Sequence, residues 1–307
     1  TENNDLAEPR MAQTQYEKDN VAQALVESLS DSNVEYAAPN YLSKTQWTPS
    51  DWNASRHFYL NQSNVENMWD AQSCPGGANC GGNSDVVIAV IDSGIAYEAY
   101  DDQTGFGVTG RNFTALADDL DGGSFNLWQN TDTGSTGNAE IANDGLDNDC
   151  NGVIDDINGI DTYAYNYLYG ISDTCVAGNP VDFSSDNHRY RRKPGHPIDT
   201  LGHGTYVTNV IAGRSDNGNG TVAPAFNTTI MPIAASIEMP GDYYGWFYDS
   251  DVISGISYAS SYGADVINLS IGGNYYNQSY QDAINFYTET FGVVIVASSG
   301  NDYGWVR

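Results

Sequence analysis

Basic residues are scarce in this sequence: 11 Lys and Arg stand against 40 Asp and Glu among 307 residues, a net charge of −29. A surface of that sign repels phosphate backbones and anionic lipid, which argues against a nucleic-acid or membrane-surface partner. It suits salty or calcium-containing water, where bound cations relieve the self-repulsion. Long apolar runs are missing too. The longest, Val86–Ile91 and Val293–Ala297, are strand-sized, so no membrane span is expected. The opening residues Thr1-Glu2-Asn3-Asn4-Asp5 lack the basic start and apolar stretch of a signal peptide, and no initiator Met is present. The expectation is that something upstream has been removed.

Cysteine is sparse but even in number: Cys74, Cys80, Cys150 and Cys175. In an acidic, Asn-rich chain this reads as two local disulfides, Cys74–Cys80 and Cys150–Cys175, and an oxidising compartment. Zinc is the competing reading, against which stand the absence of a C-x₂-C spacing and of a nearby His. Sequons at Asn53, Asn61, Asn112, Asn227 and Asn277 are compatible with glycans in a eukaryotic source.

What is present is enough for a core. Hydrophobic residues make up 40% and aromatic residues 12%, and the length accommodates about two domains at roughly 150 residues each. Residues 19–30 place Val21, Leu25, Val26 and Leu29 on one helical face, and Val34-Glu35-Tyr36-Ala37 then alternates like a strand. Residues 42–84 show no sustained period and read as linker and surface wrapping. From Asp85 the pattern changes. Strands are expected at Val86–Ile91, Ile230–Ile233, Val266–Leu269 and Val293–Ala297, with helices opening near Gly204 and at about 249–262 and 279–290. Apolar strands alternating with helices predict an α/β fold, a doubly wound, mostly parallel sheet covered on both faces. Functional groups in such sheets gather at the carboxyl ends of the strands, where Asp92, Ser270 and Asn301 fall.

Asp92 directly follows a buried strand, and Gly202-His203-Gly204-Thr205 opens a helix. A carboxylate that fixes an imidazole tautomer, and an imidazole that takes a nucleophile's proton, are two parts of a hydrolytic triad. Ala297-Ser298-Ser299-Gly300-Asn301 ends a third strand with an amide able to donate to a developing oxyanion.

Together these motifs resemble the subtilisin-type serine peptidases, the subtilases. Val90-Ile91-Asp92-Ser93-Gly94 is similar to the family's Asp motif, Gly202-His203-Gly204-Thr205-Tyr206-Val207 to its His motif and Ala297–Asn301 to its oxyanion motif. Val266–Gly273 resembles the edge strand that binds extended substrate, and Val222-Ala223-Pro224 with Ile230-Met231-Pro232-Ile233 resembles the strand after the His helix. The resemblance implies Asp92 as orienter, His203 as general base and acid and Asn301 as oxyanion donor. Ser270, Ile271, Gly272, Gly273, Ser298, Ser299 and Gly300 would bind an extended polypeptide substrate. Residues 1–46 resemble the second half of the family's inhibitory propeptide, residues 47–84 a linker and the start of the mature enzyme, and 85–307 the catalytic domain. On that basis Tyr36–Tyr41 is expected to lie over Ser270–Gly273.

One element of the family's pattern is missing. No Gly-Thr-Ser occurs, and the sequence stops 307 − 301 = 6 residues after Asn301. The expectation is an inactive chain on its own, with the nucleophilic Ser on a separate or further segment. The alternative is a non-catalytic subtilase-fold scaffold that binds peptides.

Asp92 and His203 are separated by 203 − 92 = 111 positions, more than in compact subtilases. An acidic insertion at about 98–195 holds Asp147-Asn148-Asp149-Cys150-Asn151-Gly152-Val153-Ile154-Asp155-Asp156. Oxygen groups at first, third and fifth places with Gly at the sixth follow EF-hand logic and point to Ca²⁺. The expected ligands are Asp147, Asp149, Asn151, Val153 through its carbonyl, Asp155 and Asp156. Place twelve is Asn158 rather than a bidentate Glu, so the site is expected to be looser than a sensor EF-hand. Arg189, Arg191, Arg192 and Lys193 gather 4 of the 11 basic residues, either neutralising the insertion or forming an exposed processing site.

Overall fold

The computed structural model describes residues 23–24, 26–27, 30, 32, 58–71, 81–97, 126–134, 137–141, 144–169, 195–199, 201–218, 221–237, 245–273 and 276–300. The chain divides into two compact units, Thr1–Gln46 and Trp47–Arg307. In the first, residues 23–24 and 26–27 are helical and exposed; the expected strand at 34–37 lies outside the described residues, as does Tyr36–Tyr41.

The second unit is built on β1, Val87–Asp92, whose last five residues are buried. It runs parallel to β3, Thr229–Ala234, on one side and to β6, Val266–Leu269, on the other. The two-residue β2, Ile160–Asp161, adds to β3, and β7, Val294–Ala297, adds to β6. The sheet order is β2-β3-β1-β6-β7, parallel throughout. A short antiparallel pair, β4 (Ser236–Ile237) and β5 (Trp246–Phe247), stands apart.

Why β1 is apolar from Val87 to Ile91 follows from its neighbours. Successive side chains point to opposite faces, and both faces are covered. Ala89 and Ile91 join Met231, Ile233, Ile267 and Leu269 against Val252, Ile256 and Ala259 of a helix, Asp249–Ser261. Ile88 and Val90 pack with Ile230 and Ile95 against Ala212 of another, His203–Ala212. Helices on both faces of a parallel sheet are the doubly wound architecture.

The long helices and strands fall close to the sequence expectations, shifted by one residue or so at their ends. Two findings differ. The stretch 42–84 contains two helices, α1 (Phe58–Gln62) and α2 (Val65–Ala71), broken at Asn64 with φ 59°. They bury Leu60, Val65 and Trp69 against Val222 and Phe226, and Trp69 Nε1 donates to the Pro224 carbonyl at 3.2 Å. Helices of five and seven residues are too short for a period to show. With these as α1 and α2, the helices at 203–212 and 249–261 are α3 and α4.

The second difference concerns the last strand. Its residues were expected to be buried, but only Val293, just before it, is; Val294 is 56% and Val296 50% exposed. Among the described residues, nothing pairs with the side of β7 away from β6. The preceding helix, α5 (Gln278–Phe291), has no buried residue although it carries Ile284, Phe286, Tyr287 and Phe291. Its ends are well formed: Asn277 Oδ1 accepts from Ser279 N at 2.9 Å, and Gly292 closes it at φ 73°.

Candidate active site

The carboxyl ends of β1, β6 and β7 lie along one rim, because the strands are parallel and in register. Asp92 is the last residue of β1 and fully buried. His203 is the first residue of α3 and its side chain is 51% exposed. Its Nδ1 lies 2.7 Å from Asp92 Oδ1 and 3.0 Å from Oδ2. A carboxylate on Nδ1 selects the tautomer with the proton on that nitrogen and leaves Nε2 as the acceptor. The hydrogen bond to Asp92 raises the His203 pKa above its ordinary value; partial burial opposes this, and the charges of Asp92 and Asp199 add to it.

Close packing brings the two together. A Cβ on Gly204 would sit 2.2 Å from the Gly94 carbonyl oxygen and 3.1 Å from Asp92 Cβ. Gly94 itself has φ 102°, and a Cβ there would meet the backbone of 197–199 at under 3 Å. The glycines around the histidine therefore let α3 begin against the turn that follows β1. Gly204→Ala is expected to push α3 off that turn and to cost about 1–3 kcal/mol of stability, measurable by urea unfolding.

A residue that sequence reasoning did not single out organises this turn. Asp199 is fully buried. Its Oδ1 accepts from Ser93 Oγ (2.8 Å), Leu201 N (2.9 Å) and Gly202 N (2.7 Å), and its Oδ2 from Thr205 N (2.9 Å) and Thr205 Oγ1 (2.6 Å). The available signal was an Asp four positions before His203 at a helix start.

This arrangement agrees with the wider similarity of the chain. Residues 83–305 match the subtilase family. The chain belongs to that family. A thermophilic serine proteinase of Bacillus sp. (strain AK1) is 26% identical over 91% of this chain and 47% of its own length. Thermitase of Thermoactinomyces vulgaris is 35% identical over 34% of this chain and 36% of its own. The crystal structure of fervidolysin from Fervidobacterium pennivorans covers 84% of this chain and 29% of its own, at 19% identity and a TM-score of 0.39. The chain spans about half or less of the length of these relatives.

Other residues expected from the subtilase resemblance are placed unevenly. Asn301 lies outside the described residues. Ser298 follows β7 and is stitched to the end of β6, its N donating to the Leu269 carbonyl (3.0 Å) and its Oγ to that of Ile271 (3.2 Å). Ser270–Gly273 and Ser298–Gly300 thus adjoin at the rim. β6 ends at Leu269, where the pattern places it, but the edge position that the resemblance implies for Val266–Gly273 is corrected: β6 lies inside the sheet, between β1 and β7, while 270–273 continue without strand pairing. The reason is that β7 takes the outer side of β6, in register from Val266↔Val294 to Leu269↔Ala297.

The acidic insertion has its own cluster. Oxygens of Glu140, Asp147 and Asp149, all buried, lie within 4.8 Å of one another. Glu140 was not anticipated; it accepts from Asn148 N, Asp149 N and Asp155 N at 2.9–3.2 Å. Asp155 and Asp156, expected as ligands, fall outside that group. Asp155 Oδ1 accepts from Asp144 N (3.0 Å), and Asp156 Oδ2 takes the Tyr258 hydroxyl (2.7 Å) and Asn151 Nδ2 (3.0 Å). Asn151 Oδ1 accepts from Val153 N at 2.7 Å. The loop turns back on itself at Gly152, φ 95°, so the later carboxylates aim at other partners. Burial raises Glu140 to a pKa of about 8 and Asp156 to about 7, and raises Asp149, with repulsion among the neighbouring acids adding to each. An all-oxygen set of crowded carboxylates fits a hard cation such as Ca²⁺.

Cys150 lies in this loop, while Cys74, Cys80 and Cys175 lie outside the described residues, as do Arg189, Arg191, Arg192 and Lys193. No helix among the described residues is long and apolar enough to cross a membrane.

Proposed function

We propose that this chain supplies the orienting carboxylate and the general base of a secreted serine endopeptidase whose nucleophilic Ser lies on a further segment. The observation that carries the reading is the 2.7 Å contact between His203 Nδ1 and the fully buried Asp92. In the reaction, His203 Nε2 takes the proton from the attacking Ser hydroxyl as its oxygen bonds to the peptide carbonyl. It then returns that proton to the leaving amine as the C–N bond breaks, and Asp92 stabilises the imidazolium in between. Asn301 donates to the oxyanion. Ser270–Gly273 and Ser298–Gly300 flank an extended polypeptide.

The half-exposed Val294 and Val296 support the further segment. An apolar run in a parallel sheet is normally covered on both faces, and an uncovered edge strand invites pairing. The segment that bears the Ser is the proposed neighbour of β7.

Ca²⁺ is the proposed metal, held by Glu140, Asp147 and Asp149; bound there, it supplies counter-charge that fixes the insertion. Disulfides Cys74–Cys80 and Cys150–Cys175 suit secretion, and residues 1–46 serve as an inhibitory propeptide. The test is a serine-directed fluorophosphonate applied to the native assembly, with the labelled peptide identified by mass spectrometry. Labelling is expected on a Ser outside residues 1–307 and not on this chain. An unlabelled assembly that still binds peptide would make the protein a peptide-binding scaffold instead.

A further inference from the structure

The first turn of α3 leaves N–H groups without partners inside the helix. Its cap position, Gly202, has no side chain to satisfy them and sits at φ 100°. Two are instead met from outside: Gly204 N donates to Ser93 Oγ at 2.8 Å, and Thr205 N to Asp199 Oδ2 at 2.9 Å. Ser93 in turn donates to Asp199 Oδ1. Ser93 is the residue after Asp92, and its own N donates to Asp92 Oδ1 at 2.7 Å. Gly204 is the residue after His203. A closed ring therefore runs from the Asp92 carboxylate through Ser93 and Gly204 to the His203 backbone and back through Nδ1. Asp199 anchors it by accepting from Ser93 and from both sides of the histidine, at Gly202 and Thr205. Thr205 Oγ1, which donates to Asp199, accepts from Ala96 N at 2.9 Å, so the stretch after β1 is tied to the helix a second time. Ser93, Asp199 and Thr205 are all fully buried.

We propose that Asp199, acting through Ser93, is a positioning residue that holds the start of α3 so that the His203 ring meets Asp92. The inference rests on the reading of Asp92 and His203 as the working pair. A buried carboxylate with five donors has no lone pair directed at substrate. Its influence reaches the reaction through where it places the backbone of residues 202–205. A displacement of about 1 Å at such a pair lowers turnover roughly a hundredfold.

The test uses the 1–307 chain and needs no nucleophile. Ser93→Ala removes the relay hydroxyl and leaves both carboxylates in place; Asp199→Asn removes the anchor. Nuclear magnetic resonance reads the hydrogen-bonded Nδ1 proton of His203 and the titration of its ring. In the wild-type protein a downfield Nδ1–H and a titration above 6.5, the ordinary value, are expected. In Ser93→Ala the downfield proton is lost and the titration falls toward the ordinary value, with circular dichroism still that of the folded protein. Asp199→Asn loses the downfield proton as well. Its titration is not the deciding readout, because the Asp199 charge acts on the ring directly. A folded Ser93→Ala with an unchanged Nδ1 proton and titration would overturn the relay while leaving the Asp92–His203 pair standing. A wild-type His203 with no downfield proton and an ordinary titration would overturn both. Loss of the fold in both variants would assign these residues to architecture and overturn a positioning role.

Discussion

Asp92→Asn, in the proposed assembly with a Ser-bearing segment, is expected to lower kcat about ten-thousandfold with little change in KM. The expectation rests on how the carboxylate is used. Both of its oxygens lie within 3.0 Å of His203 Nδ1, and Oδ1 also accepts from Ser93 N. An amide of the same shape keeps the packing, yet it can offer its NH₂ to Nδ1. That moves the ring proton to Nε2, the nitrogen that has to accept the proton of the nucleophile. Substrate contacts at the rim are untouched, so binding is preserved while the chemical step fails. The same substitution removes the largest influence raising the His203 pKa. In the wild-type protein that raised value contributes stability at pH below 6.5, lost as pH climbs through the folded pKa. The variant should show less of this loss. Steady-state kinetics on a peptide substrate decide the matter; a loss of tenfold or less would mean that Asp92 does not orient the base.

The parts of this molecule that could be read from its sequence are those where one residue's neighbours in the chain are also its constraints. The run Val-Ile-Ala-Val-Ile-Asp at 87–92 declares a strand covered on both faces, and Gly-His-Gly-Thr declares a helix start beside something crowded. The pairing of Asp92 with His203 across 111 positions was legible only through the order of motifs. Asp199 and Glu140 were missed for a different reason. Each accepts several backbone N–H groups, and backbone donors leave no mark on the sequence; Asp199 had only its place at a helix start to signal it, and Glu140 had nothing. The EF-hand-like spacing in the insertion correctly located an acidic turn, but spacing fixes the loop's own ligands and says nothing about an acid arriving from residue 140. Similarly, the end of the strand at Leu269 was legible, but its interior position depends on β7, which is contributed by residues 294–297.

A second large effect is expected in the thermal stability of the chain. With divalent cations chelated, the melting temperature should fall as pH rises from about 5 to about 8, and Ca²⁺ should reverse the fall. Burial moves Glu140 from 4.5 to about 8 and Asp156 from 3.8 to about 7. Across that window the folded protein retains protons that the unfolded chain has already released. Stability is therefore present at low pH and lost as pH rises toward the folded values. The penalty is transmitted to the core, because Asp156 accepts the hydroxyl of Tyr258 on α4, which packs against the sheet. A cation held by Glu140, Asp147 and Asp149 counters the repulsion once these groups ionise. At a hundred times its Kd, a ligand adds about 2.7 kcal/mol, roughly 5–10 °C for a domain of this size. His203 contributes a pH dependence of the same sign, so Glu140→Gln is the control. That variant should lose most of the Ca²⁺ gain and flatten the slope, while the His203 contribution persists. A melting temperature that is level between pH 5 and 8 in chelator and indifferent to Ca²⁺ would show that the three carboxylates are accommodated without a metal.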